Sequence, residues 1–392
     1  MNSDSRPIIW HIAAWWPTPD HPGDGLFIRE HIRSISNQYR HFVIYLKIEK
    51  RSLGRPRVLL SEQSGELTEL IVDIKTPLRR FGFDKFLIRH SYQRAFNHLQ
   101  KQYGPPALTH VHVRSHISKF AIDVLIKNDQ SFVLSEHFSF YHRGIYELDA
   151  KQQKAEKAAI RYCFTHRNIK AIMPVSKELA DIFTSQYGVD TDRIKVIPNI
   201  ADSCFKHATH IPQDEIRIAL VAAWNFPKNP FIFFNGLSLL PQDLRDKIKV
   251  DIVGHGGQLD EMKAHVTREL PDWNITLHGY KKKPEFAQIL QSADFFCHPT
   301  DQENLPTVIA EALCCGAPVL SMNVNGIPEM IDDSNGILIE PKSADAMKEG
   351  LLKMIQIRHE YNRKGIADAA HLVYDKGVIG KTIDEIYKGV FA

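Results

Sequence analysis

No apolar run in these 392 residues approaches the roughly 20 that a membrane-spanning helix needs. The expectation is a chain that is soluble or peripheral to a membrane. Cysteine is scarce. The five, Cys163, Cys204, Cys297, Cys314 and Cys315, are odd in number and show neither C-x-x-C nor the Cys/His spacing of a zinc site. Such usage fits a reducing cytoplasm, with the adjacent Cys314 and Cys315 as small buried residues at a helix end. Charge of one sign is nearly missing. The formal balance of +3 speaks against a nucleic-acid binder built on bulk electrostatics. There is no short-period repeat and no low-complexity tract. The first residues lack the pattern of a secretory signal, because Asp4 precedes the apolar run IIWHIAAWW, His11 interrupts it and Pro17 stops it.

What the chain has is length, alternation and an uneven charge. It is too long for one ordinary core, so two domains are expected. Residues 1–208 carry 30 Lys+Arg against 21 Asp+Glu, a balance of +9, and the remainder carries 19 against 25, a balance of −6. Two domains with different partners would explain that split. Apolar runs (RPIIWHIA, HFVIYLKI, THVHVRS, FVLSEH, AIMPVS and KVIPN, then IRIALVA, KVDIVGH, NITLHGY, ADFFCHP, PVLSMN and GILIEP) alternate with periodic segments such as GLFIREHIRSISNQY and PEFAQILQSA. Strand–helix alternation of this kind reads as parallel α/β. We therefore expect two doubly wound, Rossmann-like domains, 1–208 and 209–375, with a C-terminal helix over 376–392 packing back on the first. The stretch 201–212 lacks periodicity and is the expected linker. Parallel sheets bind ligands beyond the carboxyl ends of their strands, and the cleft where two such domains face each other is the expected site.

One stretch, ENLPTVIAEALCCGAP, sets Glu303 and Glu311 eight positions apart. FFCHP reads as a strand, TDQENL as a loop and PTVIAEALCC as a helix, with Pro306 in the first turn and Gly316 ending it. Glu303 then lies in the loop at the strand's carboxyl end, and Glu311 about one and a half turns into the helix. A helix start favours an anion such as phosphate. The bland alternative is a loop Glu303 that does nothing and a solvated Glu311. Against it stand other glycine-bearing or basic loops at strand ends: NVNGIP, VGHGG, and AAWNFPKNP, whose Lys228 can meet a phosphate as a point charge.

These residues resemble the donor domain of retaining glycosyltransferases of the GT-B fold, family 4. The resemblance runs from about 219 to 341 and is strongest over ENLPTVIAEALCCGAPVL, NGIPE and GILI. It continues more thinly in MPVSKELADIFTSQYGVDTDRIKVIPNIAD, HPGDGLFIREHIRSIS and LSEHFSF. The resemblance implies roles for individual residues. Glu311 accepts hydrogen bonds from the nucleotide ribose, and Glu303 lies near the donor sugar's hydroxyls. The backbone at Asn304, Leu305 and Pro306 cradles sugar and diphosphate, and Lys228 neutralises the departing diphosphate. Tyr280 marks where the base is held, Gly25 marks the first loop's approach to the phosphates, and His137 is the active-site histidine. Gly254 and Gly326 belong to the donor-facing loops. The family usually sets an arginine a few residues before the lysine, and here that position is Ala223. Either another cation substitutes, from Lys281 to Lys283, or the diphosphate binds more weakly.

Other signals are weaker. Asp190 and Asp192 spell D-x-D, a pattern common in surface turns. GHGG has Leu259 where a dinucleotide fingerprint has its third glycine. His110 and His112 share one strand face with no carboxylate nearby, which favours structural histidines over a metal site. The segment around Arg79, Arg80, Phe81, Phe83, Lys85, Phe86 and Arg89 is basic with interleaved phenylalanines; it suits an anionic bilayer or a helix packed on the sheet. The resulting expectation is a cytoplasmic, metal-independent, retaining glycosyltransferase with no cofactor. Its donor would be a UDP- or GDP-sugar and its acceptor a glycan or lipid-linked hydroxyl in surface polysaccharide synthesis. A glycoside hydrolase, a two-domain sugar binder and a sugar-nucleotide epimerase are the rival readings.

Overall fold

The computed structural model describes residues 5–18, 23–50, 57–64, 67–76, 83–142, 144–209, 214–340 and 343–391. The chain forms two compact units, Met1–Ile197 with Ile379–Ala392, and Pro198–Val378. The division falls about ten residues before the expected boundary at 208. Most of the stretch read as a linker therefore lies within the second unit, where Ala201 pairs with Asp375. Its residues 210–212 lie outside the described ones.

In chain order the first unit runs β1 (Ile8–Ala13), α1 (Leu26–Ser34), β2 (Arg40–Lys50), β3 (Arg57–Ser64), β4 (Thr68–Thr76), α2 (Phe83–Tyr103), β5 (Leu108–His112), α3 (Lys119–Lys127), β6 (Phe132–Glu136), α4 (Ala150–Thr165), β7 (Ile169–Pro174) and α5 (Lys177–Tyr187). The second runs β8 (Ile216–Ala223), α6 (Pro230–Ser238), α7 (Gln242–Arg245), β9 (Ile248–His255), α8 (Leu259–Glu269), β10 (Asn274–Gly279), α9 (Lys283–Ser292), β11 (Phe295–His298), α10 (Thr307–Cys314), β12 (Val319–Met322), β13 (Gly336–Ile339), α11 (Ala344–Ile357) and α12 (Arg363–Tyr374), followed by α13 (Lys376–Phe391).

The first sheet has the order β3-β4-β2-β1-β5-β6-β7, with β3 alone antiparallel to its neighbour. The second is wholly parallel in the order β10-β9-β8-β11-β12-β13. Its central strands are apolar and buried along nearly their whole length, which is what a sheet covered on both faces requires. The edge strand β10 is only half-buried. Strand order reverses between β1 and β5 in the first unit and between β8 and β11 in the second. Those reversals are where loops part and leave a crevice.

Two strand readings change. KVIPN is no regular strand; Ile194 bridges Ile172, and the segment follows β7 only through two amides, Lys195 N to the Ile172 carbonyl (3.0 Å) and Ile197 N to that of Pro174 (2.9 Å). The β3–β4 hairpin, unmarked in the sequence reading, extends the first sheet by pairing β4 on β2. The C-terminal helix α13 lies against α1, where a Cβ on Gly380 would stand 1.9 Å from the Ser34 carbonyl oxygen. Its Tyr387 hydroxyl reaches His110 Nδ1 at 2.6 Å.

Candidate functional site

In the second unit the loops at the β8/β11 reversal are stitched together. Asn229 N donates to the Pro299 carbonyl (3.1 Å), and Asp301 N donates to that of Pro227 (2.9 Å). Asn229 also caps α6 by accepting from Ile232 N and turns its amide to Asp301 (3.2 Å). Short backbone ties of this kind fix a loop without packing it in a core. Their result is to bring Lys228 against Glu303: Lys228 Nζ and His298 Nε2 converge on the same oxygen, Glu303 Oε1, the histidine at 3.2 Å. The Lys228 and Glu303 side chains are each 16% exposed. Burial alone would raise the Glu303 carboxyl, but Lys228 and His298 overcome it and hold it down to about 2. The carboxylate is therefore ionised at any ordinary pH.

The neighbouring loops complete the edge. Glu303 N donates to Asn325 Oδ1 (3.3 Å) in the loop after β12, where Asn325 adopts φ +47° and Gly326 opens a tight turn. Asn304, Leu305 and Pro306 are buried, and Asn199 Nδ2 holds the Leu305 carbonyl at 2.6 Å. Pro306 is the residue before the first turn of α10, one position earlier than the sequence suggested, and no side chain caps the helix start. The free N–H groups there remain available to an anion. Tyr280, 56% exposed at the end of β10, stands edge-on to His255 with ring centroids 5.6 Å apart.

Glu311 is not on a wet face. It is 3% exposed on a helix whose other residues from Ile309 to Cys314 are also buried. Burial drives its carboxyl up to about 8, with Lys283 opposing and Asp202 reinforcing the rise. No donor from the described residues is hydrogen-bonded to it. A buried carboxyl without a donor costs free energy unless a ligand supplies one. Lys283 Nζ lies 3.4 Å from Asp202 Oδ2, so of the three lysines proposed as a substitute cation, this one serves the Glu311 side. Lys281, just before α9, pairs with Glu285 in that helix's first turn, and Lys282 caps the helix start. Ala223 is exposed at the end of β8.

Gly254 has a packing reason of its own. A Cβ there would lie 1.8 Å from the Ala222 carbonyl oxygen and 2.9 Å from Trp224 Nε1. In the first unit Gly25, at φ +65°, begins α1, and a Cβ there would meet the Trp15 carbonyl oxygen at 2.3 Å. His137 follows β6, its ring 4.8 Å from Phe27 and 5.0 Å from His31, both on α1. Sequence reasoning passed over Glu136, the buried residue before it. Its carboxylate accepts from the amides of Arg114 (2.9 Å), His137 (3.0 Å) and Phe138 (3.0 Å) and from the Tyr141 hydroxyl (2.8 Å). It thereby fixes the backbone that presents His137. The signal was a carboxylate closing an apolar strand, FVLSE.

The β1/β5 reversal of the first unit carries a histidine chain. His11 is fully buried beside His110 and His112, and one nitrogen from each lies within 4.8 Å of the others. His41 Nε2 donates to the Ser36 carbonyl (3.3 Å), so its Nδ1 accepts from His11 Nε2 (2.9 Å). His11 Nδ1 in turn accepts from His112 Nε2 (3.1 Å). His110 reaches Ser135 Oγ at 2.8 Å as well as Tyr387. His11 works as a neutral donor–acceptor between His41 and His112, whose own Nδ1 has no partner among the described residues, and burial pushes His11, His110 and His112 well below the usual histidine range. The folded unit refuses protons that the unfolded chain accepts, so stability falls as pH drops below about 6.5. In ¹⁵N-histidine spectra at pH 6 these three rings should stay neutral while exposed histidines titrate. Protonated rings at that pH would refute the chain.

The model for glycosyl transferases group 1 matches residues 205–370, and that for glycosyltransferase family 4 matches 38–203. Together they account for most of the chain, first unit and second alike. The chain belongs to glycosyltransferase family 4. The lipopolysaccharide glucosyltransferase WaaG of Escherichia coli is 24% identical over 204 residues, 48% of this chain and 54% of that protein. The chain spans about half or less of the length of the curated relatives it first matches. Among solved structures, sucrose-phosphate synthase from Thermosynechococcus elongatus superposes with a TM-score of 0.74 at 15% identity, covering 98% of this chain and 99% of that one. HepE of Anabaena in complex with UDP gives 0.70 at 16% identity, covering 98% and 100%. At such identities these likenesses show the shared GT-B fold. Lys228, Glu303 and Glu311 all fall inside the matched segment 205–370 of this family 4 chain.

Proposed function

We propose that the chain moves a sugar from a nucleotide-diphospho sugar to a hydroxyl on a glycan or lipid-linked acceptor, with retention of configuration and without a metal. One observation carries this reading: the fold sets a half-buried cation, Lys228, against a half-buried carboxylate, Glu303, at a strand-order reversal, and adds a buried carboxyl, Glu311, in the following helix. In this reading Glu311 receives the ribose hydroxyls and becomes ionised as they bind. Glu303 receives the donor sugar's hydroxyls. Lys228 and the uncapped start of α10 take up the negative charge that grows on the diphosphate as the glycosidic bond breaks, where electrostatic stabilisation has most effect. The cation supplies charge that a divalent metal supplies in other phosphate sites. Front-face attack lets the leaving phosphate take the acceptor's proton, so no protein nucleophile is required. The sugar, the base and a surface-polysaccharide acceptor are suggested by the relatives' names and by UDP in the HepE structure. Incubation with a panel of UDP-, GDP- and ADP-sugars tests the reaction class. Retention requires the new bond's anomeric proton, read by NMR, to match the donor's configuration; inversion would defeat the mechanism.

Membrane contact is a separate element of the proposal. No helix among the described residues is long and apolar enough to cross a bilayer. Arg79, Arg80 and Phe81 lie outside the described residues, as does the side chain of Phe83. On α2, Leu87, Ile88, Tyr92, Phe96 and Leu99 face the core, while Phe86 is 66% exposed next to exposed Lys85. An acceptor on an anionic leaflet would be reached by this patch from the cytoplasmic side. Wild-type protein should sediment with anionic vesicles at low salt and leave them as salt rises. The double variant Lys85→Glu, Phe86→Ser should sediment less while binding nucleotide as before. Indifference of the wild type to such vesicles would point to a soluble acceptor.

A further inference from the structure

We propose that His298 is a positioning residue of the donor site, holding Glu303 in place when Lys228 exchanges that carboxylate for the donor's diphosphate. The inference rests on the reading of the second unit as a nucleotide-sugar site, and it adds a residue that neither the sequence motifs nor the family match singles out.

His298 closes β11 as the one polar side chain of FFCH, and it is 1% exposed. A buried imidazole in an apolar strand is costly without a hydrogen bond. Glu303 provides it, at 3.2 Å from Nε2. Burial holds the ring below the usual histidine range; the Glu303 carboxylate opposes that shift and the Lys228 charge adds to it. A neutral ring facing a carboxylate carries its proton on Nε2 and donates it. The strand itself is tied: Ser321 Oγ, on β12, donates to the His298 carbonyl at 2.9 Å. The Phe296 ring lies 5.9 Å away in a stacked orientation.

Two donors thus share Oε1 of Glu303, and no donor from the described residues reaches Oε2. They differ in kind. Lys228 is a point charge on a flexible stem, suited to leave for a stronger anion. His298 is rigid, neutral and anchored on a central strand. When a diphosphate draws Lys228 away, Glu303 would lose its one charged partner among the described residues and, unheld, could rotate. The histidine keeps Oε1 bound and leaves Oε2 aimed outward to accept a sugar hydroxyl. Orientation of this kind raises the affinity for the sugar part of the donor without touching the nucleotide.

The test compares two amide variants. In His298→Gln the terminal amide can reach the place of Nε2; in His298→Asn it stops short. Dissociation constants are measured for UDP against UDP-glucose, GDP against GDP-mannose and ADP against ADP-glucose. For the pair that binds wild type best, the factor by which the sugar improves affinity should shrink at least fivefold in His298→Asn. Affinity for the bare nucleotide should change less than twofold, and His298→Gln should recover most of the loss. An unchanged sugar factor in His298→Asn, or equal losses for nucleotide and nucleotide sugar, overturns the proposal. Imidazole ¹⁵N shifts of the ligand-free protein give an independent reading. A neutral Nε2–H form that shifts on Glu303→Gln supports the contact, and a ring indifferent to that change refutes it. Failure of every nucleotide to bind would instead defeat the proposed function, whatever the imidazole shows.

Discussion

Lys228→Ala should lower turnover by roughly 10²–10³-fold, the loss typical of removing one group that stabilises charge developing in a transition state. Donor affinity should fall much less, because the diphosphate gains its extra charge only as the bond breaks. The ligand-free geometry sharpens this expectation. Glu303 already holds Lys228 at the strand-order reversal, so on donor binding the lysine exchanges one anion for another with little net gain in the ground state. The variant also leaves Glu303 buried with only a neutral histidine for company. Glu303 titrates at about 2 in the folded protein, below the ordinary carboxyl value near 4.3, so its contribution to stability is present above that value and is lost as pH falls toward 2. Without Lys228 that acid limb should begin at higher pH. Initial rates with the best-binding nucleotide sugar, set beside its dissociation constant, provide the check. An affinity loss with turnover intact would make Lys228 a ground-state anchor.

Glu311→Gln should weaken nucleotide binding and strengthen the fold. The wild-type carboxyl titrates at about 8 when folded and near 4.3 when unfolded. Between those values the folded chain keeps a proton the unfolded chain has lost, so stability falls as pH rises through the window and the cost is complete above it. At pH 7 that cost is up to roughly 3 kcal/mol. An amide of the same shape avoids it, so the variant should melt several degrees higher at neutral pH, with the gain vanishing near pH 4. Nucleotide affinity should move the other way. Ribose hydroxyls bind best to the ionised carboxyl, so wild-type affinity should climb with pH up to about 8, and the variant should lose this slope. Its affinity should be on the order of 10- to 100-fold lower at pH 8, as expected for a lost hydrogen bond to a charged acceptor. A variant that neither stabilises nor weakens binding would place Glu311 outside the site.

Much of this was legible from residue order. Continuous apolar runs at helix-length intervals marked most of the parallel strands of both sheets, because burial on two faces leaves the same pattern wherever it occurs. Glycine and proline marked the turn into and out of α10. The spacing of Glu303 and Glu311 placed one on a loop and one on a helix, but spacing is silent about depth. Whether Glu311 meets water depends on which elements pack against α10, and periodicity is uninformative where every face is buried. The β3–β4 hairpin was hidden for a related reason: β3 ends in the polar run SEQS and β4 carries Glu69, Asp73 and Lys75 along one face, so both resemble solvated segments. KVIPN had the composition of a strand, but it meets β7 through only one bridge and two amide hydrogen bonds. His298 and Glu136 escaped notice because each is the last residue of a largely apolar strand. The partner that explains His298 sits five positions on, in a loop whose path depends on the fold. His11 joins His110 and His112 only because β1 pairs with β5 across about a hundred residues.

The most direct test of the account is a thermal-unfolding titration of wild type and Glu311→Gln with UDP, GDP, ADP and their diphospho sugars. A ligand that binds only the native state raises the unfolding temperature in proportion to its occupancy. The account predicts that one nucleotide class raises the wild-type temperature saturably, that its sugar form raises it further, and that Glu311→Gln, although more stable alone, responds far less. No response to any nucleotide, or equal responses from the two proteins, would contradict it.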